Sequence, residues 1–199
     1  MNELPAERAG HVTFGCLNNF CKINDGVLDL WRRVLNEVTD AHLLVLADPG
    51  SHRQWVIDRL GVSASRVEFS PRCPRSEFLT LFHRIDLALD TLPYNGHTTA
   101  LEALYMGVPT VTLPGNTVVG RAGVSMMKNV ELTEWIATTA QEYVAIAARF
   151  ARDLPGLAKL RSTLRRRMEQ SPLMDAEGFT RSMENAYRQI WRAWCQRQG

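Results

Sequence analysis

Short apolar runs alternate with longer amphipathic stretches along almost the whole chain. The runs are Val12–Leu17, Leu43–Ala47, Val67–Ser70, Leu87–Asp90 and Thr110–Leu113. Each is too brief for a helix, and Asn, Pro or Gly follows within a few residues, which predicts a buried strand. Between the first two, Val27, Leu28, Trp31, Val34, Leu35 and Val38 recur at helical period, with Asn24 or Asp25 in position to cap. Ser51 opens a short helix that ends at Gly61. Ser76 is the expected cap of another, carrying Phe78, Leu79, Phe82 and Ile85. Thr98–Met106 has helical spacing and is stopped by Gly107 and Pro109. A short helix is expected from Arg121, and Asn129–Ala137 reads equally as a strand or a helical turn. From Gln141 onward the pattern is helical throughout: Gln141–Arg152, Pro155–Gln170 and Ala176–Gln196.

Buried strands alternating with helices imply an α/β fold, a Rossmann-like parallel sheet flanked by helices. Met1–Gly10 is polar and is expected to be a loose lead-in. With no linker or repeat beyond it, residues 11–199 read as one domain with a helical C-terminal extension. On the last helix Phe179, Met183, Tyr187, Ile190, Trp191 and Trp194 form an apolar stripe. It is expected to pack into the core; the alternative is a face made to cover a neighbouring lobe.

The chemistry gathers around Asp90–Pro109, DTLPYNGHTTALEALYMGVP. The layout is strand, glycine turn, helix. It leaves the backbone N–H groups of His97, Thr98 and Thr99 free at a helix N-terminus, a ready seat for a phosphate or diphosphate. Gly96 lets the backbone approach the anion, because no Cβ intervenes. Glu102 lies one turn beyond Thr98 on the same face and can accept from a sugar hydroxyl. In parallel sheets ligands sit at the carboxyl ends of the strands, near the point where strand order reverses. Asn19 and Lys22 follow the first strand, Arg75 the third, and Asn116 and Arg121 the fifth, all at that edge. Lys22 is either a surface lysine or a point charge for a phosphate.

The order of DTLPYNGHTT, Glu102 and GVPTVTLPG, with LNNFCKI at Leu17–Ile23 and FSPRCP at Phe69–Pro74, resembles the C-terminal catalytic lobe of the O-GlcNAc transferase and SPINDLY-like family. The resemblance runs from about Val12 to the last helix. It implies the C-terminal, donor-binding half of a two-lobed GT-B glycosyltransferase that uses a UDP-sugar, UDP-GlcNAc first among them. The acceptors it implies are protein serine and threonine hydroxyls, reached through a second lobe, commonly with tetratricopeptide repeats ahead of it. On this resemblance Lys22 contacts the diphosphate, and Asn19 stands where animal enzymes carry glutamine. Cys73 offers backbone groups to the uracil, Arg75 lies beside the base, and Phe78 replaces a stacking histidine. His97, Thr98 and Thr99 cradle the diphosphate, His97 also reaching the sugar, and Glu102 takes the ribose hydroxyls. Lys22 and His97 are thus the expected catalytic residues. The family is metal-independent, so neither metal nor cofactor is expected. The alternatives are a non-catalytic nucleotide-binding or protein-interaction module, and a sugar-nucleotide epimerase whose acid and base groups find no match here.

Composition adds limits. The 199 residues are 45% hydrophobic and carry a net charge of +2, which argues against nucleic-acid binding. Arg165–Arg167 reads as a solvated helix face. Four cysteines, Cys16, Cys21, Cys73 and Cys195, match no zinc spacing and are expected as free thiols. No signal peptide and no membrane span is visible, so a cytoplasmic location is the expectation. Oligomeric state is left open.

Overall fold

The computed structural model describes residues 2–198; Met1 and Gly199, the two ends of the ranges expected above, lie outside the described residues. Five strands form the sheet: β1 (Thr13–Cys16), β2 (His42–Leu46), β3 (Val67–Ser70), β4 (Leu87–Leu89) and β5 (Thr110–Val111). All pairings are parallel and the order is β3-β2-β1-β4-β5. The order reverses between β1 and β4, so a crevice opens there at the carboxyl edge. β4 is one residue and β5 two residues shorter than the apolar runs imply, because pairing ends before apolar character does. Thr112 continues the edge as a single parallel bridge to Ile136. That bridge, following a 3-10 turn at Thr133–Trp135, resolves the ambiguous stretch after Asn129.

Helix α2 (Asp25–Glu37) buries Val27, Leu28, Trp31, Val34 and Leu35, and Asn24 caps it by accepting from the Val27 N–H at 3.1 Å. Helices α3 (Ser51–Leu60), α4 (Arg75–Leu81), α5 (Thr98–Tyr105) and α6 (Ala122–Asn129) follow their strands. Helices α7 (Ala140–Ala151) and α8 (Leu154–Glu169) complete the body. The main core joins β1, β2 and β4 to α2 and α7; a second cluster, around Leu17, Phe82, Ile85 and Met106, lies across the sheet. Gly107, at φ 79°, takes the left-handed turn that ends α5 and returns the chain into β5.

Three expectations change. The lead-in is not loose: α1 (Pro5–Ala9) packs onto the body, with Leu4 1% exposed. The buried Asp86 carboxylate accepts from the N–H groups of Ala6 and Thr13 at 2.9 and 2.8 Å. Arg161, also buried, donates to the side chain of Asn2 at 2.7 Å and to the carbonyls of Ile85 and Phe82 at 2.9 and 3.1 Å. These ties span 73 to 159 positions and leave no local trace. Second, α4 starts two residues earlier than expected, with Pro74 at its N-cap and no capping bond from Ser76. Third, the stripe on α9 (Ala176–Gln198) is not core. Phe179, Met183, Tyr187, Ile190, Trp191 and Trp194 are 37–66% exposed. Helical period shows that a face is apolar, not what covers it.

Candidate functional site

β4 delivers the chain into Asp90, whose side chain is buried. Its carboxylate accepts from the N–H of Thr91 at 2.9 Å, from the N–H of Gly96 at 2.7 Å, and from the Thr112 hydroxyl at 2.8 Å. Burial pushes the Asp90 carboxyl up to about 6, against the pull of these hydrogen bonds and of Lys22. The Tyr143 hydroxyl donates to the Asp90 carbonyl at 3.1 Å. Asn95 is buried as well: its amide donates to the Thr91 carbonyl at 2.9 Å, and its own N–H reaches Val119 O at 3.1 Å. Asn18 donates to the Thr91 hydroxyl at 3.1 Å. Any Cβ on Gly96 would lie 2.7 Å from the Asn18 side-chain oxygen. The turn 91–96 is therefore fixed from four elements.

What it fixes is the start of α5. His97 is the N-cap residue and supplies no side-chain cap. None of the described residues accepts from the backbone N–H of His97, Thr98, Thr99 or Ala100. First-turn amides have no partner inside their own helix, and the helix dipole adds positive potential there. A small cleft lined by Cys16, Asn18, Asp90, Thr99 and Ala100 lies beneath, between β1 and β4.

Lys22 comes from the other side of the crevice. It ends a 3-10 turn, Phe20–Lys22, capped by Asn19, whose side-chain oxygen accepts from Cys21 N at 3.4 Å. The Lys22 ammonium donates to the Asn95 carbonyl at 2.8 Å and sits 4.0 Å from the centre of the Tyr94 ring. The same ring meets His97 edge-on, centroids 5.6 Å apart. Partial burial lowers the Lys22 pKa, and Asp90 opposes that shift. Lys22, His97, Thr98 and Thr99, drawn from two strand tips, thus come together.

The tip of β3 supplies the rest. Arg72 donates to the Asn19 side chain at 3.2 Å, and its N–H donates to Asp48 at 2.9 Å, joining three strand tips. Arg75 pairs with Glu102 at 2.5 Å; the arginine side chain is 71% exposed, the glutamate 11%. Cys73 is half-buried. The Phe78 ring stands edge-on to Phe82 at 5.6 Å and packs against the second apolar cluster, so part of its surface belongs to the core. Asn116 and Arg121 lie exposed on the loop after β5. Reading the sequence missed Asp90, Asn18, Asn95, Thr112, Tyr94 and Arg72. Of these Asp90 left a signal, an acid closing an apolar run, and Asn95 another, an Asn-Gly pair that marks a turn. Among the described residues, no group of three or more His, Cys, Asp and Glu side chains is placed to hold a metal ion. No described helix is long and apolar enough to cross a membrane.

A family model, glycosyl transferase family 41, matches residues 3–183. A curated relative from Solanum lycopersicum, a probable UDP-N-acetylglucosamine–peptide N-acetylglucosaminyltransferase SPINDLY, is 40% identical over 198 residues, 96% of this chain and 21% of its own. The Caenorhabditis elegans UDP-N-acetylglucosamine–peptide N-acetylglucosaminyltransferase is 32% identical over 91% of this chain and 16% of its own. A solved Thermobaculum terrenum O-GlcNAc transferase, a K341M mutant, is 41% identical with a TM-score of 0.88, across 96% of this chain and 38% of that one. The lipopolysaccharide glycosyltransferase WaaG shares the fold at a TM-score of 0.61 and 13% identity. The chain spans about a fifth of the length of curated SPINDLY relatives that it matches. Its fold is the Rossmann-like half of a GT-B glycosyltransferase. The chain belongs to glycosyl transferase family 41.

Proposed function

We propose that this chain is the donor-binding lobe of a UDP-sugar-dependent protein O-glycosyltransferase, with UDP-N-acetylglucosamine as donor. The observation that carries the reading is the row of unpartnered amides at His97–Ala100, with the Lys22 ammonium held on the carbonyl of Asn95, two residues before them. A diphosphate seated there meets main-chain N–H groups, a helix dipole and one full positive charge. Thr98 and Thr99 add hydroxyls. Glu102, one turn on, takes the ribose hydroxyls, and Arg75 is held beside it by their ion pair. Cys73 and Phe78 border the base on the same side.

In the reaction the acceptor hydroxyl oxygen forms a bond to the anomeric carbon as the bond from that carbon to the β-phosphate oxygen breaks. The electron pair leaves with UDP, so negative charge grows on the diphosphate. Lys22 and the α5 amides stabilise that charge in place, with His97 beside the sugar. Loss of one such donor typically raises a barrier by about 2.7–4 kcal/mol. The hydroxyl proton and the acceptor itself are handled by the part of the relatives' length that this chain does not span. The chain alone is therefore expected to bind donor without efficient transfer. Calorimetric titration with UDP tests the reading. The wild-type chain should bind, and Lys22→Ala should weaken binding at least about tenfold, roughly 1.4 kcal/mol. No heat with UDP would favour a non-catalytic module; unchanged affinity in Lys22→Ala would remove Lys22 from the site.

A further inference from the structure

We infer that Tyr94 is a positioning residue for Lys22, its ring face holding the ammonium at the mouth of the diphosphate seat. The inference rests on the donor-binding reading of the site and adds to it a residue that acts through Lys22.

Tyr94 is an aromatic residue that does no core packing: it is 43% exposed, at the tip of the β4–α5 turn. Its backbone is pinned from below, its carbonyl accepting from the Thr91 hydroxyl at 2.7 Å. Its ring is aimed at the two side chains that line the reacting end of the site. Lys22 stands over the face at 4.0 Å, where the ring quadrupole is negative. His97 meets the ring at its centroid distance of 5.6 Å, tilted by 68°.

A lysine carries a flexible four-carbon stem, and ordering it opposes binding by up to about 2 kcal/mol of rotamer entropy. Here two contacts of the protein itself order it. One N–H of the ammonium is used by the Asn95 carbonyl at 2.8 Å. The ring face supports the charge without consuming a donor. An ammonium has three N–H groups, so the others stay available to phosphate oxygens. Carbonyl and ring together hold the ammonium beside the turn that leads into α5. The phenol hydroxyl plays no part in this, which separates the ring's role from an ordinary hydrogen bond.

The test is a double-mutant cycle on the 199-residue chain, read as UDP affinity by calorimetry, with uridine as the phosphate-free control. Tyr94→Phe keeps the ring and should bind UDP within about twofold of wild type. Tyr94→Leu should bind UDP about three- to tenfold more weakly, the range of a partly exposed cation–π contact, with uridine binding unchanged. In a Lys22→Met background, Tyr94→Leu should add less than about a twofold further loss. Because the side chain is exposed, the unfolding midpoint of both Tyr94 variants should stay near wild type. The inference is overturned if Tyr94→Leu leaves UDP affinity unchanged, if Tyr94→Phe is as weak as Tyr94→Leu, or if the loss persists in full without Lys22. A wild-type chain that binds no UDP would sink the donor-binding reading and this inference with it. UDP binding that ignores Tyr94→Leu would sink this inference alone.

Discussion

Replacing Asp90 by Asn should raise stability at neutral pH relative to acid pH, although the native carboxylate makes three hydrogen bonds. The carboxyl is lifted from 3.8 to about 6, with burial as the largest cause. A carboxyl raised on folding binds its proton more tightly in the folded chain. Its contribution is therefore fullest below the unfolded value and is lost as pH rises through 6. The full loss is about 3 kcal/mol at 1.36 kcal/mol per unit, and about 2 kcal/mol of it falls between pH 4.5 and 7.5. Asparagine has the same shape, keeps an oxygen for Thr91 and Gly96, and can donate to the Thr112 hydroxyl, but does not titrate. Urea unfolding of both proteins from pH 4.5 to 7.5 gives the difference directly. The Asn variant should gain about 2 kcal/mol on wild type across that range. A flat difference, or one of opposite sign, would mean that the hydrogen bonds and Lys22 outweigh burial. A charge kept at such expense holds the Gly96 amide, and with it the entry to α5.

Glu102→Ala should weaken UDP binding severalfold and leave pyrophosphate binding untouched; equal losses for both would contradict the ribose assignment. Arg161→Ala leaves the Ile85 and Phe82 carbonyls without their buried donor and removes a nearby positive charge that favours the Asp86 carboxylate. It should lower stability by about 3 kcal/mol, read by urea unfolding; a loss under 1 kcal/mol would show that the N-terminal tie is dispensable. Replacing Trp191 and Trp194 with Ser should change the stability of this chain by less than about 0.5 kcal/mol each, because both are exposed. A drop of 2 kcal/mol would show that the stripe packs after all.

The strands were legible because each apolar run is short and sharply bounded, and parallel strands are apolar on both faces. The helix at Thr98 was legible because Gly96 and Gly107 bracket it. What joins distant parts was not. The Asp90 carboxylate draws its donors from Gly96 and Thr112, 6 and 22 positions away, and Lys22 meets Asn95 across 73. A buried acid looks the same in sequence as an exposed one until its donors are placed. Phe78 shows the converse: its helical spacing fits core and base stacking equally, and the structure gives it one face in the core. The α9 stripe was misjudged because an amphipathic period carries no record of its partner. Pro5–Ala9 looked loose because what anchors it, Asp86 and Arg161, lies far along the chain.

The central claim is that the first-turn amides of α5 grip a diphosphate opposite Lys22. Amide-resolved NMR of the chain titrated with UDP and, separately, with uridine tests it most directly. UDP should move the N–H signals of His97, Thr98, Thr99 and Ala100 most strongly, and uridine should leave them nearly in place. Signals at those four residues that stay still while UDP binds elsewhere on the chain would contradict the account.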